Sequence, residues 1–459
     1  MQDLRERLAR WAGYEPVVHA RTPDKLQALR GLLAELGSPE RGLRVVHIAG
    51  TNGKGMTAAM VDRLLSDAGA TVARYSSPHV LDLSERFLLG GRPLPAAALA
   101  RAGHRVLDLA DRYAAGARLA YFDVLTAIAL LAYAEAAPDW VVLETGIGGR
   151  ADATNVTPKA LAIITRIGWD HMPVLGNTLE AIAGEKLGIA RPGVPLVVAA
   201  QPPALAGWLT EQARTLGVPL IWSSTHALRR EGASAPGLDA CRVSVAQHGT
   251  AIGELCLPAP WGTRARLESA ATALTAVGQL LGTADSAAQL HRARLSLTTP
   301  VPGRLDLRRA VGLAGRAGVL WPLAVLDGGH NADALAALGE QLTAWGLDSY
   351  TLIFGSRADK LVAQAQPPLA RLFRGATRIV TLPPQGPRVP DAQTLAIWVR
   401  TFLADQGIPV PVQACASAEQ ALAAAAADGP STLVVAGSFW MLGPVMARLG
   451  DARGAPLTL

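Results

Sequence analysis

Cysteine is nearly absent: Cys241, Cys256 and Cys415 are the three among 459 residues, odd in number and far apart. That excludes a disulfide framework and the paired spacings of a zinc or redox site. It fits a chain kept reduced, so a cytoplasmic location is expected. Long apolar runs are also missing. The longest, Val124-Leu125-Thr126-Ala127-Ile128-Ala129-Leu130-Leu131-Ala132-Tyr133-Ala134, is too short to cross a bilayer and reads as a buried helix, so no membrane partner is expected. No basic segment followed by an apolar stretch opens the chain, and no secretory signal is expected. Aromatic residues make up 5% and charged ones 17%, with a net charge of +6 carried mostly by arginine. A nucleic-acid surface needs a basic stripe or an aromatic platform. Here the arginines are dispersed, and only Arg229-Arg230 and Arg308-Arg309 are adjacent. No nucleic-acid partner is expected; anionic small substrates suit the balance better.

Half of the residues are hydrophobic, enough for a large core, and the length suggests two or three domains. Strand-like runs at Arg44–Ala49, Thr71–Tyr75, Trp140–Leu143, Leu161–Arg166, Pro195–Ala199 and Pro219–Trp222 alternate with helical patterns. Those helices are predicted at Met56–Ala68, Pro95–Ala114, Phe122–Ala136, Leu179–Ala190 and Pro203–Leu216. This α/β alternation predicts a parallel sheet wrapped on both faces. Residues 241–257 interrupt it as a small antiparallel hairpin around Gln247-His248-Gly249. After the helix Arg264–Leu281, the segment Thr298-Thr299-Pro300-Val301-Pro302-Gly303-Arg304 has the composition of a linker. A second alternation follows, with strands at Leu323–Leu326, Tyr350–Phe354, Arg378–Leu382, Val410–Ala414 and Thr432–Ala436. The expected plan is a domain over 1–297, a linker over 298–308 and a smaller α/β domain over 309–459.

The richest local signal is Val46-His47-Ile48-Ala49-Gly50-Thr51-Asn52-Gly53-Lys54-Gly55-Met56-Thr57. A strand feeds a glycine-dense turn with one lysine, and a helix follows. Glycines let backbone N–H groups close on an anion, the helix N-terminus adds partial positive charge, and Lys54 can reach terminal phosphates. The spacing G-T-N-G-K-G is shorter than the common G-x-x-x-x-G-K, whose first glycine would fall on Ile48. Taken alone the match leaves a phosphate cradle and an ordinary glycine turn both open. Met56 stands where such loops usually offer a hydroxyl for magnesium, with Thr57 next.

A second strand ends in Glu144-Thr145-Gly146-Ile147-Gly148-Gly149-Arg150-Ala151-Asp152-Ala153-Thr154-Asn155. Residues 146–151 fit the dinucleotide pattern G-x-G-x-x-A, but that pattern must open a helix, and here polar loop residues and another strand follow. The better reading is a ligand loop at a strand's carboxyl end, with Glu144 as a candidate magnesium ligand. The next strand tip presents Asp170-His171, and His171 is a second candidate. Glu185-Lys186 then sits within a helix capped by Asn177 or Thr178, where a surface ion pair is the plain alternative.

Together these residues resemble the folylpolyglutamate synthase/dihydrofolate synthase family of the Mur ligase superfamily. The matches run in order: H-I-A-G-T-N-G-K-G at 47–55, Y-S-S-P-H at 75–79, Y-F-D-V-L-T at 121–126, E-T-G-I-G-G-R-A-D-A-T-N at 144–155 and D-H at 170–171. G-E-K-L-G-I at 184–189, P-G-R-L-D at 302–306, D-G-G-H-N at 327–331, F-G-S-R-A-D-K at 354–360 and A-G-S-F-W at 436–440 complete the set. The resemblance implies a P-loop ATPase domain, a smaller Rossmann-like C-terminal domain, and an ATP-dependent amide ligase, expected to be a monomer. Its substrates would be pteroate or folate, L-glutamate and ATP, joined through an acyl phosphate. It implies an ATP site of Gly50, Thr51, Asn52, Gly53, Lys54, Gly55, Ser269, Arg304 and Asp327. Mg2+ would be held by Ser77, Glu144 and His171, and a carbamylated Lys186 would help hold a second metal or K+. Lys54, Lys186 and His171 are the implied catalytic set. Ala120, Tyr121, Phe122, Asp123, Ala151, Asp152 and Ala153 correspond to pterin-contacting positions, and His330 and Ser438 to glutamate contacts. Met56, Arg266, Ser269, Asp123 and Gly329 depart from the family pattern. Two other functions fit the same phosphate loop: a Mur-type ligase for another carboxylate, and a nucleotide-binding homologue without ligation.

Overall fold

The computed structural model describes residues 2–12, 25–112, 119–231, 240–282, 285–315, 318, 320–357, 367–386, 389–427, 429, 431–451 and 453. Residues 358–360 of the F-G-S-R-A-D-K match lie outside them. The first sheet has eight strands: β1 (Val45–Ala49), β2 (Val72–Tyr75), β3 (Phe87–Leu89), β4 (Arg92–Pro93), β5 (Trp140–Glu144), β6 (Leu161–Ile164), β7 (Leu196–Val198) and β8 (Leu220–Trp222). Their order is β4-β3-β2-β5-β1-β6-β7-β8, parallel except where β3 pairs with β2 and β4. All five residues of β1 are buried, as are all five of β5, because helices cover both faces. Val46 and Ile48 pack with Met60 and Leu64 of the helix Lys54–Asp67 and with Ala270 and Leu274 of the helix Arg264–Leu281. Val45 points to the other face, against Leu125 and Ile128 of the helix Tyr121–Ala136.

The predicted hairpin is one edge of a three-stranded antiparallel sheet: β9 (His226–Glu231), β10 (Ala240–Gln247) and β11 (Thr250–Pro258), in the order β11-β10-β9. Its tight turn is His248-Gly249, both at positive φ, the conformation that two-residue hairpin loops require. β9 was not expected from the sequence, since His-Ala-Leu-Arg-Arg-Glu leaves one face wet.

The second domain holds seven strands: β12 (Asp306–Leu313), β13 (Trp321–Asp327), β14 (Tyr350–Phe354), β15 (Ala376–Thr381), β16 (Val412–Ala414), β17 (Thr432–Ala436) and β18 (Leu449–Gly450). The order β16-β15-β14-β17-β13-β12-β18 is parallel up to β13, and β12 then runs antiparallel to both neighbours. Residues 306–308, which composition placed in the linker, are the first residues of β12. Among the described residues no helix is long and apolar enough to cross a membrane.

Candidate active site

β1 delivers the chain at Ala49 to the glycine loop at the carboxyl edge of the first sheet. A side chain at Gly50 would overlap Thr165 Oγ1 at the tip of β6, so only glycine lets the loop hug its neighbour. Thr51 N and Asn52 N both donate to Arg166 O, at 2.9 and 3.1 Å, and Thr51 Oγ1 lies 3.1 Å from both Gly168 N and Gly168 O. Gly53 caps the following helix with no side-chain acceptor, which leaves first-turn N–H groups for an anion. Lys54 arches back, donating to Gly50 O at 3.1 Å and Thr51 O at 3.3 Å. Ser269 Oγ would stand 3.3 Å from a Cβ on Gly53, so that residue abuts the loop. The Met56 side chain is 4% exposed and lies in the core beneath the loop. Thr57 is fully buried, and its Oγ1 has no hydrogen-bond partner among the described residues.

Lys186 reaches the same loop from the helix Leu179–Leu187, its Nζ donating to Gly50 O at 2.9 Å. Two lysine amines thus converge on one carbonyl. Burial first, and then the neighbouring Lys54, push the Lys186 amine down to about 7, against the pull of Asp170 and Asp152. Glu144, 2% exposed at the tip of β5, accepts from Ser77 N at 3.2 Å, the one hydrogen bond to its carboxylate recorded among the described residues. A buried carboxylate with so little compensation suits a cation, and the Ser77 hydroxyl is a second oxygen donor beside it. His171 sits at φ 48° with its backbone N–H donating to Asp170 Oδ1 at 2.9 Å, and its imidazole groups with Asp170 and His330.

The loop 144–155 is shaped from within. Asp152 Oδ2 accepts from Gly146 N at 2.9 Å and Ile147 N at 3.0 Å, while Oδ1 accepts from Thr154 N at 3.0 Å and from Thr154 Oγ1. Four donors on one buried carboxylate make Asp152 the loop's organiser. A Cβ on Gly149 would come within 2.8 Å of Glu185 O and 2.9 Å of Lys186 O, so the loop lies directly on the helix that carries Lys186. Arg150 N completes the seam with a 2.7 Å bond to Glu185 O. Gly149 thus serves close packing against that helix, while Gly148 takes up a positive φ of 70°. Phe122 closes over this loop, within 3.0 Å of a Cβ on Gly146, with its ring centroid 5.7 Å from that of Tyr75 in a tilted pair. Ala120 N donates to Asp123 Oδ2 at 2.8 Å, which starts the helix, and Tyr121 stays partly exposed beside Phe122. Ala151 is half-buried and Ala153 is packed in the core.

The second domain faces this edge. Arg304 lays its guanidinium over Gly55, where a Cβ would meet Nη2 at 2.7 Å, and stacks 4.7 Å from the Phe439 ring. Asp327 accepts from Leu305 N and Gly329 N, both at 2.7 Å, tying the linker's end to the tip of β13; burial pushes its carboxyl up. Ser438 caps the helix Phe439–Met446, its Oγ accepting from Trp440 N at 3.2 Å. His330 Nδ1 lies 3.2 Å from Gly328 O. Asn331 and Asn52 pair reciprocally across the domains, at 3.0 and 3.4 Å. Sequence reasoning quoted Asn331 and Asp170 inside motifs but gave neither a role, because each acts through a partner distant in the chain. Arg266, noted only as a departure, is 3% exposed and donates to Leu297 O at 3.0 Å and Thr299 O at 2.8 Å, clamping the linker's start.

No protein-family model matches the chain. It is 43% identical over 185 residues to the dihydrofolate synthase/folylpolyglutamate synthase of Bacillus subtilis (strain 168), which is 39% of this chain and 43% of that protein. With the protein of the same name from Mycobacterium tuberculosis it shares 32% identity over 342 residues, 70% of this chain and 67% of that one. The chain thus spans less than half the length of the first relative. A solved bifunctional folylpolyglutamate synthase/dihydrofolate synthase with Mn, AMPPNP and L-glutamate bound superposes with a TM-score of 0.73 at 28% identity, covering 96% of this chain and 97% of that one.

Proposed function

Since the chain belongs to the folylpolyglutamate synthase/dihydrofolate synthase family, we propose that it is an ATP-dependent ligase joining L-glutamate to dihydropteroate, to folates, or to both. One observation carries the reading: an anion-ready glycine loop is bracketed by Lys54 and Lys186 from its own domain and by Arg304 from the other. Phosphoryl transfer between anions needs that concentration of positive charge. The substrate carboxylate attacks the γ-phosphorus of ATP, ADP departs, and an acyl phosphate results. The α-amino group of glutamate then attacks the acyl carbon and phosphate leaves as the amide forms.

Lys54, the loop amides and Arg304 bind and orient the polyphosphate, with Asn52, Gly55 and Ser269 shaping its bed. Ser77, Glu144 and His171 are the donors that would hold Mg2+, and the ion would neutralise phosphate charge. Lys186 has the partly neutral amine that CO2 requires. Its nitrogen attacks CO2, a proton leaves, and the carbamate formed is an anion suited to a second metal or K+. Tyr121 and Phe122 supply an aromatic wall beside Ala151 for a pterin. Asp123, Asp152 and Ala153 hold that wall in place. Asp327 sets the turn that presents His330, and Ser438 the helix start near it, for the incoming glutamate. The protein is read as a cytoplasmic monomer.

The deciding measurement is phosphate release with ATP and glutamate, comparing dihydropteroate with tetrahydrofolate. Release with either identifies the acceptor. No release with any acceptor across magnesium and bicarbonate conditions rejects ligation and favours a nucleotide-binding homologue.

A further inference from the structure

The amino-terminal edge of the first sheet carries a second gathering of positive charge, away from the glycine loop. Residues 38–42 lead into β1 and residues 157–160 lead into β6. The two strands pair in parallel, and Ala160 N donates to Val45 O at 2.9 Å where they begin. The glycine loop leaves β1 at its far end, so the five residues of that strand, about 16 Å of chain, separate the two places. A cavity of about 330 Å3 opens at the amino-terminal edge, lined by Arg30, Ser38, Glu40, Arg41, Val156 and Pro158.

Arg30 projects from the helix Lys25–Glu35 and makes no hydrogen bond or ion pair among the described residues. Behind the cavity wall stand Lys159, next to Pro158, and Arg191. Burial first, then Arg191 and Arg30, push the Lys159 amine down to about 7; burial and then Arg30 lower Arg191 as well. Both have hydrogen-bond acceptors, but neutral ones. Lys159 Nζ donates to Thr157 O at 3.0 Å, and Arg191 donates to the Gly188 and Ala190 carbonyls and to Asn155 Oδ1. Carbonyl oxygens satisfy the N–H groups and leave the like charges facing one another. Glu40 is the acidic residue lining the cavity. Its Oε1 lies 3.9 Å from Arg41 Nε and its Oε2 is buried, so its charge is directed at Arg41 and the cations remain in excess. Ser38 lines the same space at φ 55°, and its hydroxyl makes no bond to the turn Pro39–Gly42 that follows.

We propose that this cavity is a peripheral binding site for a small phosphate-bearing dianion, gripped by Arg30 and Arg41, with the Ser38 hydroxyl as a further donor and Lys159 adding charge. Arginine forks match phosphate oxygens in pairs, and both forks here belong to exposed side chains that can turn inward. A tetrahedral dianion has oxygens enough for several donors arriving from different elements, where a carboxylate has two. The volume suits a phosphate or a phosphate ester of a few carbons. None of these residues belongs to the catalytic set, and the site needs no ligation chemistry.

The test is calorimetric titration of the full chain with inorganic pyrophosphate, without ATP or metal. Because the glycine loop is itself a phosphate cradle, the peripheral event is isolated in Lys54→Met, and independently in the parent chain saturated with ADP. One binding event per chain is expected to remain in both. Arg30→Gln and Lys159→Met, each added to Lys54→Met, should weaken that event by roughly tenfold or more, and Arg30→Lys should do so less, since it keeps charge and loses the fork. Added chloride should weaken it too. Arg30 is exposed, so its replacement leaves the fold intact, as thermal unfolding in anion-free buffer checks. Orthophosphate and glycerol 3-phosphate, titrated in parallel, identify the source as free phosphate or a phosphate ester, and tighter binding by either supports the site. Affinity unchanged in both Arg30→Gln and Lys159→Met overturns the proposal, as does the absence of any event in the ADP-saturated chain. Glutarate binding more tightly than both phosphates overturns the ligand class. No turnover is measured, so failure here leaves the ligase reading standing, and failure of ligation leaves this site standing.

Discussion

At the scale of single residues, Lys186 is where burial changes chemistry most. Its amine is held at about 7 instead of the ordinary 10.5, so between those values the folded chain binds fewer protons than the unfolded one. Stability therefore rises with pH through that window, and is lowest below it, where the buried amine is charged. In bicarbonate-free buffer, Lys186→Met should flatten the rise, as read from denaturation midpoints across the window. An unchanged slope would exclude the depressed amine. In activity, Lys186→Ala should lose turnover and regain part of it with added short carboxylates that stand in for a carbamate; unaltered turnover would reject that role. Asp152 carries a different load. Asp152→Ala strands four donors of the loop 144–155 and should cost about 3 kcal/mol in urea unfolding. That Lys54 opens a helix and that Glu144 and His171 lie at or just past strand ends was legible in the sequence, because apolar strands running into glycine-rich or polar turns are local patterns. That Met56 turns inward was not, since side-chain direction depends on which face of its helix meets the core.

Among the elements, the contact between the loop 144–155 and the helix Leu179–Leu187 couples packing to chemistry. Gly149→Ala places a methyl against the Glu185 and Lys186 carbonyls, which are rigid backbone atoms. The helix must shift, at a cost of about 1–3 kcal/mol. Because Lys186 rides on it, the variant should lose turnover along with stability; a drop in stability with turnover intact would uncouple the two. Alternating strands and helices were readable along the chain because each buried parallel strand is a short apolar run. β9 and β12 were not readable. Each runs antiparallel with polar residues along much of its length, and β12 carries Arg308-Arg309, so both look like loop until a neighbouring strand supplies the hydrogen bonds.

For the whole molecule, the question is how two domains keep one site. Arg266 anchors the linker to the first domain through the Leu297 and Thr299 carbonyls, with its guanidinium 4.5 Å from the Trp261 ring. Burial lowers its pKa to about 10, so it stays charged at neutral pH and its bonds are of the stronger, charge-assisted kind. Arg266→Ala should cost about 2–4 kcal/mol. It should also raise the KM for ATP by roughly tenfold, since Arg304 lies just down the linker over the phosphate loop. A KM equal to the parent's would show that the linker's start does not position Arg304. By itself, the sequence determined the glycine-rich loop, the acidic and basic strand tips and the two α/β alternations, because glycine turns and hydrophobic periodicity act over a few neighbouring residues. Only the tertiary structure decided which of these groups meet. Lys186 reaches the Gly50 carbonyl across 136 positions, and Asp170 faces His330 from another domain. Distances, burial and hence protonation are properties of the packed chain, and no local pattern encodes them.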